Sequence, residues 1–262
     1  MPCKKDDLTE RLVRCLEELE DSKIKLDHWK TWINSLEELS EIEDAFGVEE
    51  RKKLNGKTIL DIGTDCVKPL YIALKFEPGK IIGVDENLPD FASDLEQKSR
   101  LFTKTKIKLY NCSFFDKEKL GKIMSKEKQT IDFVLVSKTL HHLRGGECIA
   151  KDRDKEHKHQ KDEKCCIYEF QERDIFKRLI ELGKRVIIYE ASYPDEEDED
   201  KVRGRGGYLT IEEWKRVFKY LSQSYRVEFI QPSRCHLDKK ELENVITQLR
   251  QVDCICFYVE AK

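Results

Sequence analysis

From Lys57 onward the chain alternates short apolar runs with helical or polar stretches, and this alternation limits the possible folds more than any other feature. The runs lie at Thr58 to Ile62, Lys80 to Val84, Ile107 to Tyr110, Ile131 to Val136 and Arg185 to Tyr189. Runs this short, separated by enough chain for a crossover helix, predict parallel strands covered by helices on both faces. Two further runs, Arg226 to Ile230 and Cys254 to Val259, with a helix candidate at Lys239 to Gln251 between them, bring the expected count to seven strands. The expected fold class is α/β, a three-layer sandwich around a mostly parallel seven-stranded sheet.

The N-terminal stretch reads differently. Leu8, Leu12, Val13, Leu16 and Leu19, then Ile24, Leu26, Trp29, Trp32, Ile33 and Leu36, recur at helical spacing across residues 7 to 45. Two such helices must bury their apolar faces on the main domain, over its ligand or against a second copy. Residues 1–50 are therefore read as a helical extension, a lid or homodimer contact, and 51–262 as the main domain. Trp29 and Trp32 suit an aromatic lid over a planar substrate, although aromatics at this spacing are more often core.

Composition narrows the partners. The 49 Lys plus Arg nearly balance 52 Asp plus Glu, so the net charge of -3 gives no global reason to bind nucleic acid or an anionic membrane. No stretch reaches the roughly 18 consecutive apolar residues of a membrane span, and MPCKKDDLTE lacks the apolar core of a signal peptide. A cytoplasmic protein with reduced thiols is expected, its ten cysteines being scattered and several lying in apolar strand patterns. Two charged segments, 147–164 and 194–207, are too polar for a core and follow strands, so they are read as insertions at the ligand-binding edge of the sheet.

The chemistry-bearing residues cluster at strand ends. KTILDIGTDC delivers Asp61 and then Gly63 into a strand-to-helix turn, where a glycine lets backbone approach a ligand and the helix start offers N–H groups. About 20 residues on, IIGVDEN places Asp85 where a carboxylate can accept both hydroxyls of a ribose. NCSFFD follows the third strand and DFVLVSKTLHHL the fourth. The plainer alternative is an α/β domain whose acidic residues merely end strands.

In this order and spacing, LDIGTD, IGVDEN, NCSFFD and DFVLVSKTLHHL resemble the successive cofactor motifs of the class I (seven-stranded, Rossmann-like) S-adenosylmethionine-dependent methyltransferases. The resemblance runs from about Lys57 to the C-terminus. It implies one antiparallel strand near the C-terminus, S-adenosyl-L-methionine as cofactor and S-adenosyl-L-homocysteine as product. It also implies that Asp61, Gly63, Thr64 and Asp65 lie near the methionine part of the cofactor. Asp85, Glu86 and Asn87 would lie at its ribose, Ser113 and Phe114 at its adenine, and Ser137, Lys138 and Leu140 along the methyl-donor side. The glycine-rich loop departs from the family pattern, because Asp65 and Val67 stand where the second and third small residues are expected. A carboxylate at Asp65 can bond the cofactor's amino group or signal weakened binding.

Catalytic candidates come from the same edge. His141 and His142 follow the fourth strand, where an imidazole can take a proton near neutral pH, and His142 is marginally preferred. Glu190 and Tyr193, read as lying after the fifth strand, are candidates to orient the nucleophile. Each has a bland alternative, since methyl transfer can proceed by positioning alone and such residues can simply shape a loop.

Cys148, His157, His159, Cys165 and Cys166 are zinc-ligand types without paired C-x-x-C spacing, so no metal is expected; Cys165 and Cys166 fit better as the start of a helix running through Ile175 and Phe176. RGRGG at Arg203 to Gly207 reads as a solvated loop. SKTLHHLRGGE, YEASYP and GGYLTIEEW loosely resemble the layout of RNA methylphosphate-capping methyltransferases. The leading expectation is a methyltransferase acting on a small molecule at oxygen, carbon or nitrogen. RNA is the second enzyme candidate, and a catalytically inactive methyltransferase-like interaction protein is the candidate from another class.

Overall fold

The computed structural model describes Arg14 and residues 54–64, 67–127, 130–137, 139–143, 174–193, 209–229 and 254–262. The expected N-terminal helices (apart from Arg14, which is helical), Asp65, Lys138, both charged insertions and Lys239 to Gln251 lie outside the described residues.

The chain divides into two compact units, Met1–Phe133 and Val134–Lys262. In the first, β1 (Thr58–Ile62), β2 (Lys80–Asp85) and β3 (Lys106–Asn111) pair in parallel, with Asp61 level with Gly83 and Asp85 with Asn111. Crossover helices α1 (Val67–Phe76) and α2 (Ala92–Lys98) join them, and α3 (Lys117–Glu127) follows β3. Ile59, Leu60, Ile81, Ile82 and Leu70 are wholly buried, as unbroken apolar runs in a parallel sheet require. Glu96 of α2 covers the outer side of β3, accepting the Leu109 N–H at 2.6 Å and the Lys108 ammonium at 2.7 Å.

The second unit holds β4 (Phe133–Ser137, whose first residue falls at the division), α4 (Leu140–Leu143), α5 (Ile175–Leu182) and β5 (Arg185–Tyr193). The two-residue β6 (Leu209–Thr210), α6 (Ile211–Ser224), β7 (Tyr225–Phe229) and β8 (Cys254–Ala261) complete it. Trp214 and Phe218 of α6 stack with centroids 5.5 Å apart, and both meet the Phe257 ring edge-on, forming the aromatic centre of this unit.

Strand order is β3-β2-β1-β4-β5-β8-β7, with β6 beside β5. The sheet is mixed and mostly parallel, and β8 runs antiparallel to both β5 and β7, as the resemblance implied. The strand order holds the seven expected strands, and the two-residue β6, too short to show a periodicity in sequence, lies off this path beside β5. Two expectations need correction. The fifth strand runs four residues beyond Tyr189, because pairing with β8 continues to Ala191 and pairing with β6 takes in Ser192 and Tyr193. Finally, α5 starts at Ile175 instead of continuing from Cys165, because Asp174 is left-handed at φ +49°.

Candidate functional site

The first unit builds its site at the carboxyl ends of β1 and β2. Gly63 turns the chain at φ +68°, a conformation L side chains resist. The Gly63 and Thr64 N–H groups both donate to the Val84 carbonyl, at 2.9 and 3.2 Å, folding the turn across the tip of β2. Thr64 is buried there because residue 83 is glycine: a Cβ at Gly83 would stand 2.8 Å from Thr64 Cγ2 and 2.7 Å from Leu109 Cδ2.

Asp61 is wholly buried. Lys68, from the first turn of α1 and itself buried, reaches back with Nζ 3.7 Å from Asp61 Oδ1 and donates to the Gly63 carbonyl at 3.2 Å. The turn thus places its own ammonium beside the buried carboxylate, at ion-pair distance and beyond a hydrogen bond.

At the end of β2, Asp85 is half-buried. Its Oδ1 accepts the Asn87 N–H at 2.7 Å, leaving Oδ2 without a partner among the described residues, and its carbonyl accepts the Cys112 N–H at 2.8 Å. This Asx turn fixes the carboxylate's direction. Glu86 and Asn87 are exposed. Beyond β3, the Ser113 hydroxyl accepts the Phe115 N–H at 3.4 Å, and Asp116 caps α3 through the Lys119 N–H at 2.9 Å. Phe114 is buried edge-on to the half-exposed Phe115, with centroids 5.3 Å apart. Burial pushes the neighbouring Cys112 thiol up, so it stays protonated.

The second unit places its candidates separately. Ser137 ends β4, buried, and its carbonyl accepts the Thr139 hydroxyl at 2.9 Å, while the Leu143 N–H donates to the Thr139 carbonyl at 3.1 Å. That contact closes α4, which carries His141 and His142 between the buried Leu140 and Leu143 and packs against β5. Glu190 is not a loop residue, as the sequence suggested: it lies inside β5, opposite Ile255 and 1% exposed. Tyr193 is the last residue of that strand, opposite Thr210.

Within the first unit, then, Asp61, Gly63 and Thr64 share the β1 turn, while Asp85, Glu86 and Asn87 share the β2 turn, with Ser113 and Phe114 beyond β3. Two residues that sequence reasoning missed organise these turns, Lys68 and Gly83. Gly83 had a signal, since an isolated glycine in an apolar strand points to close approach by a neighbour. Lys68 had none, because a lysine in a first helical turn ordinarily reads as solvent-facing. Among the described residues no group of three or more His, Cys, Asp or Glu is placed to hold a metal ion, and no helix is long and apolar enough to cross a membrane.

No family model matches the chain, and no characterised protein matches it by sequence. Among the solved structures similar to it are methyltransferases, all at low identity. The methyltransferase domain of bacterial CtHen1-C is 15% identical, with 85% of this chain and 98% of that one aligned at a TM-score of 0.49. Magnesium protoporphyrin IX methyltransferase from Synechocystis, solved with bound S-adenosylmethionine, is 11% identical over 85% of this chain and 78% of its own, with a TM-score of 0.47. Geranyl diphosphate C-methyltransferase from Streptomyces coelicolor is 11% identical over 93% and 86%, with a TM-score of 0.44.

Proposed function

We propose that the chain is an S-adenosylmethionine-dependent methyltransferase acting on a small molecule. The observation that carries this reading is Asp85. Its carboxylate ends β2 with one oxygen anchored by the Asn87 N–H and the other without a partner among the described residues, which suits a vicinal diol. The left-handed turn at Gly63, held to β2 through Val84, leaves backbone beside the carboxyl end of β1, where an open α/β sheet receives ligands. Bound there, S-adenosylmethionine supplies a methyl group on a sulfonium centre and S-adenosylhomocysteine remains.

The chain's own part is to hold and to orient. Asp85 holds the ribose, and Ser113 with Phe114 borders the adenine. His142 or His141 on α4 takes the proton of the acceptor, with Glu190 and Tyr193 of β5 orienting it. Calorimetric titration with S-adenosylmethionine and S-adenosylhomocysteine tests the reading. Both are expected to bind, and Asp85→Ala is expected to weaken them at least about tenfold, the loss of a charged hydrogen bond. Silence toward both compounds would sink the proposal.

One observation favours a second reading. Lys68 supplies from within the chain a cation to Asp61 and Gly63, which suits a methyltransferase-like interaction protein that needs no ligand in this turn. The same titration separates the two.

A further inference from the structure

We propose that the amino end of β3, with the turn that leads into it, is a docking surface for single-stranded nucleic acid. Residues 98–127 hold nine Lys or Arg against three Asp or Glu, in a chain whose net charge is -3. Such local asymmetry singles out one margin of the first unit for an anionic partner. Exposure alternates from Lys104 to Lys108: Thr105 and Ile107 are buried, Lys104 and Lys106 exposed, and Lys108 half-exposed. The three lysines form one outward row with a spacing of about 7 Å. Lys108 is paired with Glu96 at 2.7 Å, whereas Arg100, Lys104 and Lys106 are exposed and have no ion-pair partner among the described residues. Lys106 also stands level with Lys80 of β2, and like charges opposite each other on neighbouring strands are destabilising. The fold thus bears a repulsion that a bound anion relieves.

Leu101 decides the class of anion. It is 74% exposed, the most exposed large apolar side chain among the described residues, and it follows Arg100 in the turn Ser99–Leu101. A single leucine is too little apolar area to seat the chain on a lipid surface. Protein interfaces are depleted of lysine at their cores. A single strand instead runs its phosphates along a row of cations and lays its bases on side chains beside them. The backbone that presents the row is held in place, because the Thr103 hydroxyl donates to the Ala73 carbonyl at 3.2 Å and the Thr105 hydroxyl to the Pro78 carbonyl at 2.7 Å. Asp85 lies level with Asn111, at the opposite end of β3, so this surface docks a partner and takes no part in the cofactor site.

Fluorescence anisotropy of a labelled oligouridylate about 20 nucleotides long, titrated with the full chain across a range of KCl, tests the proposal. The wild type is expected to bind, with log K falling against log salt at a slope of about -2, about 0.7 for each of three phosphate contacts. Lys104→Gln with Lys106→Gln should weaken binding at least about tenfold and flatten the slope by about 1.4. Leu101→Ser should weaken it about threefold at an unchanged slope. Lys106→Gln removes the charge opposite Lys80, so its urea midpoint should hold or rise, which separates lost binding from lost folding. No binding by the wild type, or an affinity that survives the double substitution, overturns the proposal. Equal or tighter binding to polyglutamate overturns it in favour of an acidic protein, and equal or tighter binding to phosphatidylserine vesicles in favour of a membrane.

Discussion

Lys68 and Lys80 are both buried and both paired with a carboxylate, yet they serve opposite ends of the parallel β1/β2 pair. Lys80 opens β2, level with Thr58 at the start of β1. Its ammonium bonds Glu127 at the end of α3, and the other Glu127 oxygen accepts the Tyr110 hydroxyl of β3. Lys126 lies 5.7 Å over the Tyr110 ring. One carboxylate thus ties β2, β3 and α3 together. Lys68 instead reaches back to the turn just before its own helix, and its distance to Asp61 is longer than a hydrogen bond. The same residue types make a staple across β2, β3 and α3 in one place and an ion pair within the β1 turn in the other. Sequence separation and contact length, not burial alone, distinguish the two uses.

Double-mutant cycles measured by urea unfolding test that distinction most severely. Lys80→Met with Glu127→Gln is expected to show a coupling of about 3 kcal/mol, the upper range for one hydrogen-bonded network. Affinity for S-adenosylhomocysteine should stay unchanged in the singles that fold. Gly83→Ala comes next, at about 2 kcal/mol of lost stability, because its Cβ would overlap Leu109 and Thr64. That variant should also weaken ligand binding, since Thr64 belongs to the turn. Lys68→Met with Asp61→Asn is expected to couple by about 1 kcal/mol. A value equal to that of the Lys80 cycle would erase the contrast between staple and ion pair.

The smallest effect is one of pH. Burial first, then repulsion from Lys106 and Lys108, holds the Lys80 ammonium below its ordinary pKa of 10.5. Between that lowered value and 10.5 the unfolded chain keeps a proton that the folded chain has released, so stability should rise with pH across the window. The urea midpoint of the wild type, taken relative to that of Lys80→Met, should climb as pH approaches 10.5; the difference removes the opposite contributions of the raised Cys112 and Tyr110 groups. A difference that falls with rising pH would contradict the assigned direction.

The strands were legible in sequence wherever apolar residues ran together, as at Thr58 to Ile62 and Lys80 to Val84. Legibility stopped at Tyr189, where Glu190 and Ser192 break the apolar run and the partner strands alone keep β5 extended. Helix α6 carries a signal, with Ile211, Trp214, Val217, Phe218 and Leu221 at helical spacing, and its first residues fall in GGYLTIEEW. For the candidate site, Asp61, Gly63 and Asp85 could be read because strand-end position and residue type coincide. Lys68 could not, since the direction of a four-carbon stem is set by packing and leaves no trace in spacing.

The Glu96 contacts on β3 bear on a different property. β3 and β7 end the strand order, and such strands offer backbone groups to any passing chain. Glu96 occupies the Leu109 N–H, while Lys106 and Lys108 on β3 and Arg226 and Glu228 on β7 place charge along the margins. A protein built this way should resist edge-to-edge aggregation when concentrated. Glu96→Ala, by uncovering one margin, should make dynamic light scattering rise earlier with concentration than in the wild type.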